Sequence, residues 1–329
     1  MSSSKIIVFI LLLCCLFACS KETQNQEHKS LSVKYDKDTV SIHKSKHVLI
    51  TEESTKDLGF IPDRATEYKV NKENSEVINI EGDKINFIKL NKKEAYFNMK
   101  YIVDSTKKTS TQYRLYIYHD GEFLNFNKNK FLEFTMPRDS SISIPLKVSS
   151  PNVDFSEYLL ILSEKDEDNS VNEFIPVSKM LVTKEELKNL PKNTSVRMLN
   201  NSNIYTEKTS TNDFGVPTIT TLDASKEPIK KNYQKKKAKY IKVDQSPVDI
   251  TEELFFFDEE GNILNKRYIT KQSHNKDILI PIPKQEDNKK IFFLINNNPQ
   301  DLAFRNIKEL TKNVNEPYLS FSYFYEVKN

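Results

Sequence analysis

The chain has 329 residues, with 49 basic and 46 acidic side chains and a formal net charge of +3, so its overall charge does not indicate a nucleic-acid partner. Only 5 residues are glycine, against about 23 expected for this length at the usual roughly 7%. Phosphate-binding loops need clustered glycines, and the five here are all isolated, which excludes Rossmann and P-loop nucleotide sites: Gly59, Gly82, Gly121, Gly215 and Gly261.

The first predicted element is a short apolar segment near the N-terminus. Residues 6–18 are 13 positions that hold only apolar side chains and two cysteines, whereas a helix that spans a bilayer needs roughly 20 residues. Lys5 precedes this segment, which ends in Leu16-Phe17-Ala18-Cys19. A positive charge, a short apolar core and a small residue before the cleavage point are typical of a secretory signal.

The ending Leu16-Phe17-Ala18-Cys19 resembles the lipobox of a bacterial lipoprotein. The resemblance implies that residues 1–18 are a signal peptide that is removed and that the Cys19 thiol carries a diacylglyceryl group. The remainder would then be anchored by lipid to a membrane of the cell envelope, facing outside the cytoplasm. Two acyl chains make such an anchor durable, because a single chain binds membranes only marginally. The alternative is an ordinary secretory signal with a coincidental cysteine.

A polar segment follows the lipobox. Residues 20–30 read SKETQNQEHKS, with no apolar side chain in 11 positions, and such a segment cannot bury enough surface to offset the entropy of ordering. Fully extended, it reaches about 36 Å. We therefore expect residues 19–30 to be the lipidated cysteine and a flexible tether.

The cysteines and histidines give no sign of a metal site or cofactor. All three cysteines, Cys14, Cys15 and Cys19, precede residue 20, so the mature body would contain no disulfide, no zinc–thiolate site and no cysteine nucleophile. His43 and His47 stand four residues apart but lack the glutamate of a zinc-protease helix. The β-branched residues around them favour a strand or loop. On a strand the two histidines would share a face, which could bind a metal, but we expect no metal site there.

Acidic residues are concentrated in two runs. Residues 164–168 contain four carboxylates, and residues 252–260 contain five. A glycosidase needs two carboxyl groups facing each other across a cleft, but we expect both runs to lie in solvated turns between strands. The first run also lacks the glycine and distal glutamate of a calcium-binding EF-hand. No G-x-S-x-G motif of a serine hydrolase is present.

The regular pattern along the rest of the chain is alternation with period two, which is typical of β-strands. Residues 113–118 (YRLYIY) and 141–148 (SISIPLKV) each place apolar side chains on one face, whereas residues 158–162 (YLLIL) predict a strand buried on both faces. Only residues 183–190 suggest a helix, with Thr183 and Glu186 as a capping box. Residues 318–325 (YLSFSYFY) predict a closing strand in preference to a sugar-binding platform.

The same series of features occurs twice in the chain. The segments YRLYIYHDGEFLNF, SISIPLKV and SEYLLILSEKD are followed later by EELFFFDEEGNILN, DILIPIPK and KKIFFLINNNP. Gly121 aligns with Gly261 at an offset of 140 residues, and Tyr158 aligns with Phe292 at 134. Both glycines fall in predicted hairpin turns. Two unrelated β regions with similar strand patterns are the alternative.

These patterns predict an all-β fold of two tandem immunoglobulin-like β-sandwich modules after the signal peptide and flexible tether. We expect module 1 at residues 31–195 and module 2 at residues 200–329, each of ordinary domain size. The likeness to immunoglobulin domains is architectural, because the chain has no tryptophan and no body cysteines. Residues 226–242 contain eight lysines and one glutamate, which fits either an anion-binding patch or a solvated strand edge.

The sequence favours a lipid-anchored extracytoplasmic protein that is not an enzyme. It would act by binding, or as a structural or accessory component of the envelope. Its partners would be the membrane, through the lipid on Cys19, and an unidentified protein or glycan, with no cofactor and no nucleic acid. Two alternatives stay open: a polysaccharide-active enzyme or carbohydrate-binding subunit, supported by the many carboxylates and tyrosines, and a toxin-immunity lipoprotein.

Overall fold

The computed structural model describes a set of segments within the body of the chain. The predicted signal, Cys19 and the tether lie outside this set, as do His47 and most of the predicted helix at 183–190. The described residues are 31–45, 64–70, 75–80, 83–91, 93–151, 155–165, 174–184, 196–199, 219–229, 238–244, 250–264, 268–272, 277–284, 290–297, 299, 302–305 and 322–327.

Thirteen described strands and one short 3₁₀ turn, Lys37–Thr39, form the first part of the fold. The strands are β1 (Ser32–Tyr35), β2 (Ser41–Lys44), β3 (Arg64–Val70), β4 (Ser75–Ile80), β5 (Asp83–Lys89), β6 (Tyr96–Ser105), β7 (Thr111–His119), β8 (Glu122–Phe123), β9 (Asn125–Phe126), β10 (Leu132–Met136), β11 (Ser140–Ser149), β12 (Phe155–Glu164) and β13 (Phe174–Thr183).

Nine described strands form the second part. They are β14 (Val196–Leu199), β15 (Ile219–Leu222), β16 (Tyr240–Val243), β17 (Ile250–Asp258), β18 (Tyr268–Gln272), β19 (Ile278–Pro281), β20 (Ile291–Asn297), β21 (Leu302–Arg305) and β22 (Ser322–Val327). The described part of the chain contains no helix that is long and apolar enough to cross a membrane.

The first sandwich packs two sheets around one apolar core. One sheet has the order β3-β6-β11-β1-β9, with β2 also on β11, and the other contains β10-β7-β12-β13. Alternate residues of β7 and β12 point into this core, among them Leu115, Ile117, Leu160 and Leu162, as the period-two pattern predicts. Pro145 lies in β11 between the residues that pair with β2 and those that pair with β1, where its missing N–H costs no hydrogen bond to either strand.

The second sandwich repeats this arrangement on a smaller scale. The sheet β15-β16-β19 faces the sheet β18-β17-β20-β22, and a second core contains side chains from both, including Ile241, Ile280, Phe256 and Phe293. The strands β3, β6, β7, β10, β11, β12 and β13 thus match β15, β16, β17, β18, β19, β20 and β22 in chain order and pairing. The fold is all-β, with two immunoglobulin-like β-sandwich modules.

The strand registers correct one detail of the predicted repeat. In the first hairpin His119 pairs with Glu122, whereas in the second the N–H of Asp258 donates to the carbonyl of Asn262, so the second loop is one residue longer. Gly121 and Gly261 both have positive φ, at 96° and 76°, as their turns require. Because of the extra residue, the position that corresponds to Tyr158 is Ile291, and the predicted match of Tyr158 with Phe292 is wrong by one.

Three further predictions can be compared with the strands. YLLIL is buried on both faces within β12, which confirms that prediction. Thr183, the N-cap of the predicted helix, is the last residue of strand β13, and the helix itself stays a prediction because residues 185–190 lie outside the described residues. Of the closing strand predicted at residues 318–325, residues 322–325 lie in β22, which pairs with β20. Residues 318–321 lie outside the described residues. The module boundaries at residues 195 and 200 stay predictions.

Candidate functional site

The two sandwiches share a third apolar layer, which we call the inter-sandwich interface. It is formed where the outer face of β7, β12 and β13 packs against the outer face of β17 and β20. Its buried side chains are between 0% and 8% exposed: Tyr116, Tyr118, Phe123, Phe131, Leu159, Ile161, Val177, Phe255, Phe257, Phe292 and Leu294. An interface as dry as a domain core is unusual, since contacts between domains of one chain are commonly more polar.

The sequence explains why these strands bury both faces. In β17, Leu254 and Phe256 point into the second core, while Phe255 and Phe257 point into the inter-sandwich interface. Aromatic rings from the two sandwiches meet directly there, with the Tyr118 and Phe255 centroids 4.8 Å apart in a stacked arrangement. A continuous apolar strand therefore reflects a sheet that is covered on both sides.

Strand β13 also joins the two sandwiches through its backbone. Residues 178–183 of β13 pair with β12, and residues 174–177 pair with β22 of the second sandwich. One strand thus belongs to both sheets, as happens at the corners of packed sheets. Backbone hydrogen bonds therefore add to the side-chain packing between the sandwiches.

A buried polar cluster lies at one end of the inter-sandwich interface. Lys179 Nζ lies 2.9 Å from Glu157 Oε2. Asn296 Nδ2 donates to Glu157 Oε1 at 2.8 Å and to Glu253 Oε2 at 3.1 Å, and the Tyr118 hydroxyl donates to Glu253 Oε1 at 2.6 Å. Two carboxylates from different sandwiches are therefore held by one shared amide group.

This cluster is sealed from solvent. The Lys179 and Glu157 side chains are 6% and 3% exposed, and Lys179 Nζ also donates to the carbonyl of Asn297 at 2.9 Å. Carboxylates buried in this way are stable only when they are paired and hydrogen-bonded. Charged and polar partners that fit only one arrangement can select the register in which two surfaces dock. The buried polar cluster is thus suited to fixing the arrangement in which the two sandwiches pack.

A second contact holds the long hairpin turn of the second sandwich, residues 258–262. The Arg114 guanidinium donates to the Glu259 carbonyl at 2.8 Å, and the Tyr116 hydroxyl donates to the same oxygen at 2.7 Å. Arg114 also bonds Glu133 at 3.0 Å and lies over the Phe131 ring, with 4.2 Å to the centroid. A planar guanidinium can make all these contacts at once, so Arg114 connects the turn of the second sandwich to the first sandwich.

Gly261 lies in the turn that Arg114 contacts, and it allows Lys130 of the first sandwich to approach the turn closely. A Cβ at this position would lie 2.9 Å from the Cβ of Lys130, and φ is +76°. We predict that Gly261→Ala lowers the free energy of unfolding by about 1–3 kcal/mol, because it adds left-handed backbone strain and a steric clash. Thermal unfolding checks this, and an unchanged midpoint would mean that Lys130 and the turn are not in contact.

The structure corrects the placement of several predicted acidic residues. Glu252 and Glu253 lie inside strand β17, and both are buried, so the prediction that they occupy a solvated turn is wrong. Glu164 is the last residue of β12 and contacts Arg64 and Lys107. Only Asp258 to Glu260 of the second run flank a turn, where the Asp258 carboxylate accepts the N–H groups of Glu260 and Asn262. Asp166, Glu167 and Asp168 lie outside the described residues.

The histidine and lysine features show no ligand site in the described part of the chain. His43 is exposed on β2, and His119 stacks on Tyr158 with 4.4 Å between ring centroids. Within the described segments, no group of three His, Cys, Asp or Glu side chains could hold a metal ion. Of the lysine-rich segment 226–242, residues 230–237 are not described, and Lys242 bonds Asp244 at 2.6 Å.

The inter-sandwich cluster could not be found from the sequence. Its members, Tyr118, Glu157, Lys179, Glu253 and Asn296, are spread over five strands and match no known motif. The one available signal was the burial of neighbouring positions: Glu157 directly precedes YLLIL, and Glu253 directly precedes LFFF. Charged residues at the ends of such apolar runs are candidates for buried pairs.

Comparison with known proteins adds little to this description. No protein-family model matches the chain, and no curated protein matches it in sequence. Among solved structures, it is similar to red sea bream transglutaminase, with 8% identity and a TM-score of 0.21 over 76% of this chain and 32% of the other. It is also similar to the calcium binding domain CBD12 of CALX1.1, with 8% identity and a TM-score of 0.20 over 64% and 75%.

The chain spans about a third of the length of the transglutaminase. At such TM-scores these likenesses carry no argument about function.

Proposed function

We propose that this protein is a lipid-anchored, extracytoplasmic component of the cell envelope that acts by binding or as a structural or accessory part, without catalysis. Cys19 would carry the lipid, and residues 19–30 would separate the membrane from the folded body. The body would present its two sandwiches as one rigid unit to an unidentified protein or glycan partner.

The observation that carries this proposal is the inter-sandwich interface. Its 11 apolar side chains are at most 8% exposed, comparable to the two sandwich cores. Burying a side chain such as leucine or phenylalanine is worth about 1.5–3 kcal/mol, so separating the sandwiches would be strongly unfavourable. A hinged enzyme whose domains close on a substrate would need a contact that opens easily. The dry interface supports a fixed spacer or binding platform.

The buried carboxylates support the same proposal. Glu157 and Glu253 converge, but they do so inside the inter-sandwich interface, at 5% and 4% exposure. A glycosidase pair must face a cleft that admits substrate and water. Hydrogen bonds from Asn296 and Tyr118 and the contact with Lys179 also occupy these groups. Their environment fits a role in packing.

Replacement of Cys19 tests the anchor. We predict that Cys19→Ser moves the protein from the membrane fraction to the soluble extracytoplasmic fraction, because serine provides no thiol for a thioether-linked lipid. Cys15→Ser is the matched control, since it changes a thiol in the same segment and leaves Cys19 intact. It should stay at the membrane.

Fractionation after a high-salt wash, with immunoblotting, provides the measurement. Mass spectrometry of the N-terminal peptide from the unsubstituted protein should show Cys19 with a diacylglyceryl group. If Cys19→Ser stays with the membrane after the wash, the lipoprotein proposal is wrong.

A further inference from the structure

Glu252 is buried in the second sandwich, and the described residues offer no partner for its charge. It lies in β17 with 0% exposure, and neither carboxyl oxygen has a hydrogen-bond partner among the described residues. Moving an unpaired carboxylate into an apolar interior is so costly that such a group normally takes up a proton instead. The Glu252 carboxylate must therefore bind either a proton or a cation to be stable at this position.

Glu252 lies on the apolar face of β17. It shares its face of β17 with Leu254 and Phe256, and that face packs on Ile241 and Ile280 in the second core. On β16, Lys242 lies between the core residues Ile241 and Val243 and therefore on the opposite face. It forms ion pairs there with Asp244, which follows β16, and Asp277, which precedes β19. On β17 itself, Glu253 points to the inter-sandwich interface.

Asn297 is a polar side chain next to Glu252 on that face. The two residues are direct cross-strand partners in the β17–β20 ladder, and β-carbons of such partners are about 5 Å apart. Asn297 is 2% exposed, and its Oδ1 atom likewise has no hydrogen-bond partner in the described part of the chain. On β18, Thr270 is the cross-strand partner on the other side. Among the described residues of these strands, the other charged side chain on that face is Asp258, six positions away, whose carboxylate accepts the N–H groups of Glu260 and Asn262.

We propose that Glu252 is a neutral carboxylic acid in the folded protein and donates its proton to Asn297 Oδ1. The core of the second sandwich is then a proton-binding site, and loss of this proton destabilises the second sandwich. One proton satisfies both groups, because a protonated carboxyl is a donor and an amide oxygen is an acceptor. A cation would need several more oxygen ligands than this apolar pocket provides in the described residues.

The direction of the effect follows from the two states of the chain. Burial raises the pKa of Glu252 from 4.5 to about 8, while in the unfolded chain the carboxyl has its ordinary pKa. Between these two values the folded protein holds a proton that the unfolded chain releases, so stability falls as pH rises through this window. The folding equilibrium constant attributable to this group should decrease by about 1,000-fold from pH 4.5 to pH 8.5.

Glu252→Gln tests the proposal in the purified mature protein. Glutamine has the same shape, donates to Asn297 Oδ1 through its amide and does not titrate. The difference in stability between variant and wild type should be small at pH 5 and should grow in favour of the variant up to pH 8.5. Glu227→Gln, an exposed position in the same sandwich, is the matched control and should show no such growth.

Denaturant unfolding at a series of pH values gives these differences. Parallel pH profiles of wild type and Glu252→Gln would overturn the proposal. If the variant fails to fold, the carboxyl ¹³C chemical shift of Glu252 in the wild type decides: a titration near pH 8 supports the proposal, and one near 4.5 overturns it. Stabilisation of the wild type at pH 8.5 by added calcium, absent in Glu252→Gln, would also overturn it in favour of a bound cation.

Discussion

Replacing Lys179 with methionine should lower the free energy of unfolding by about 3–5 kcal/mol, the usual cost of breaking a buried ion pair by removing one partner. Methionine keeps much of the apolar stem of the lysine but removes the charge next to Glu157. That carboxylate is 3% exposed, so water cannot replace the lost ammonium group. The expected loss is a large share of the stability of an ordinary domain, which is about 5–15 kcal/mol.

Two further variants separate this effect from general loss of packing. Lys179→Met combined with Glu157→Gln should recover part of the loss, because the glutamine carries no charge and still accepts from Asn296. Lys100→Met, on the exposed face of β6, should change stability by no more than about 0.5 kcal/mol. Chemical denaturation measures all three. A loss below about 1 kcal/mol in Lys179→Met would show that the cluster is open to water.

The second large effect is expected at Glu164, in the first sandwich. Its side chain is 1% exposed and contacts both Arg64 and Lys107, which are 10% and 18% exposed. Glu164→Gln should destabilise the protein by about 3 kcal/mol, because two partly buried cations lose their common counter-charge. The cost is limited by the ability of long basic side chains to turn toward solvent. Thermal and denaturant unfolding check this value.

Glu133→Gln is the matched control for Glu164→Gln. Glu133 also contacts two cations, Arg114 and Lys165, but its side chain is 39% exposed. Exposed ion pairs contribute between about 0 and 1 kcal/mol, so the control should have a small effect. Equal losses in the two variants would contradict the burial of Glu164.

Much of the fold could be predicted from local patterns. The strands YRLYIY, SISIPLKV and YLLIL all form where alternation or a continuous apolar run indicates them, since one or two faces of each must be buried. The turn glycines Gly121 and Gly261 adopt the positive φ that a hairpin demands. These features depend on short-range chemistry, which a single sequence contains.

The packing of one sandwich on the other could not be predicted in this way. Residues 252–257 (EELFFF) contain no alternation that separates the second core from the inter-sandwich interface, because both faces are apolar and the acidic residues at their start suggest a turn. The pairing of β17 with β20 determines which of its side chains point into the second core. The register of a strand reverses with a single-residue shift, and only the paired strands reveal it.

The environments of the buried polar groups could not be predicted from the sequence either, because they also depend on how distant strands pair. Glu157 and Glu253 contact the same amide group although they are 96 positions apart in the chain. Glu252, next to Glu253 in sequence, faces a different core on the opposite side of β17. Adjacent glutamates thus have different environments because strand residues alternate in direction, and composition alone treats them alike.

The central claim is that the two sandwiches form one rigid body, and calorimetry of residues 31–329 tests it most directly. Because the inter-sandwich interface is as buried as either core, we predict a single cooperative transition whose van't Hoff and calorimetric enthalpies agree. Lys179→Met should lower the midpoint of that whole transition. Two separate transitions in the unsubstituted protein, with only one of them sensitive to Lys179→Met, would contradict the account.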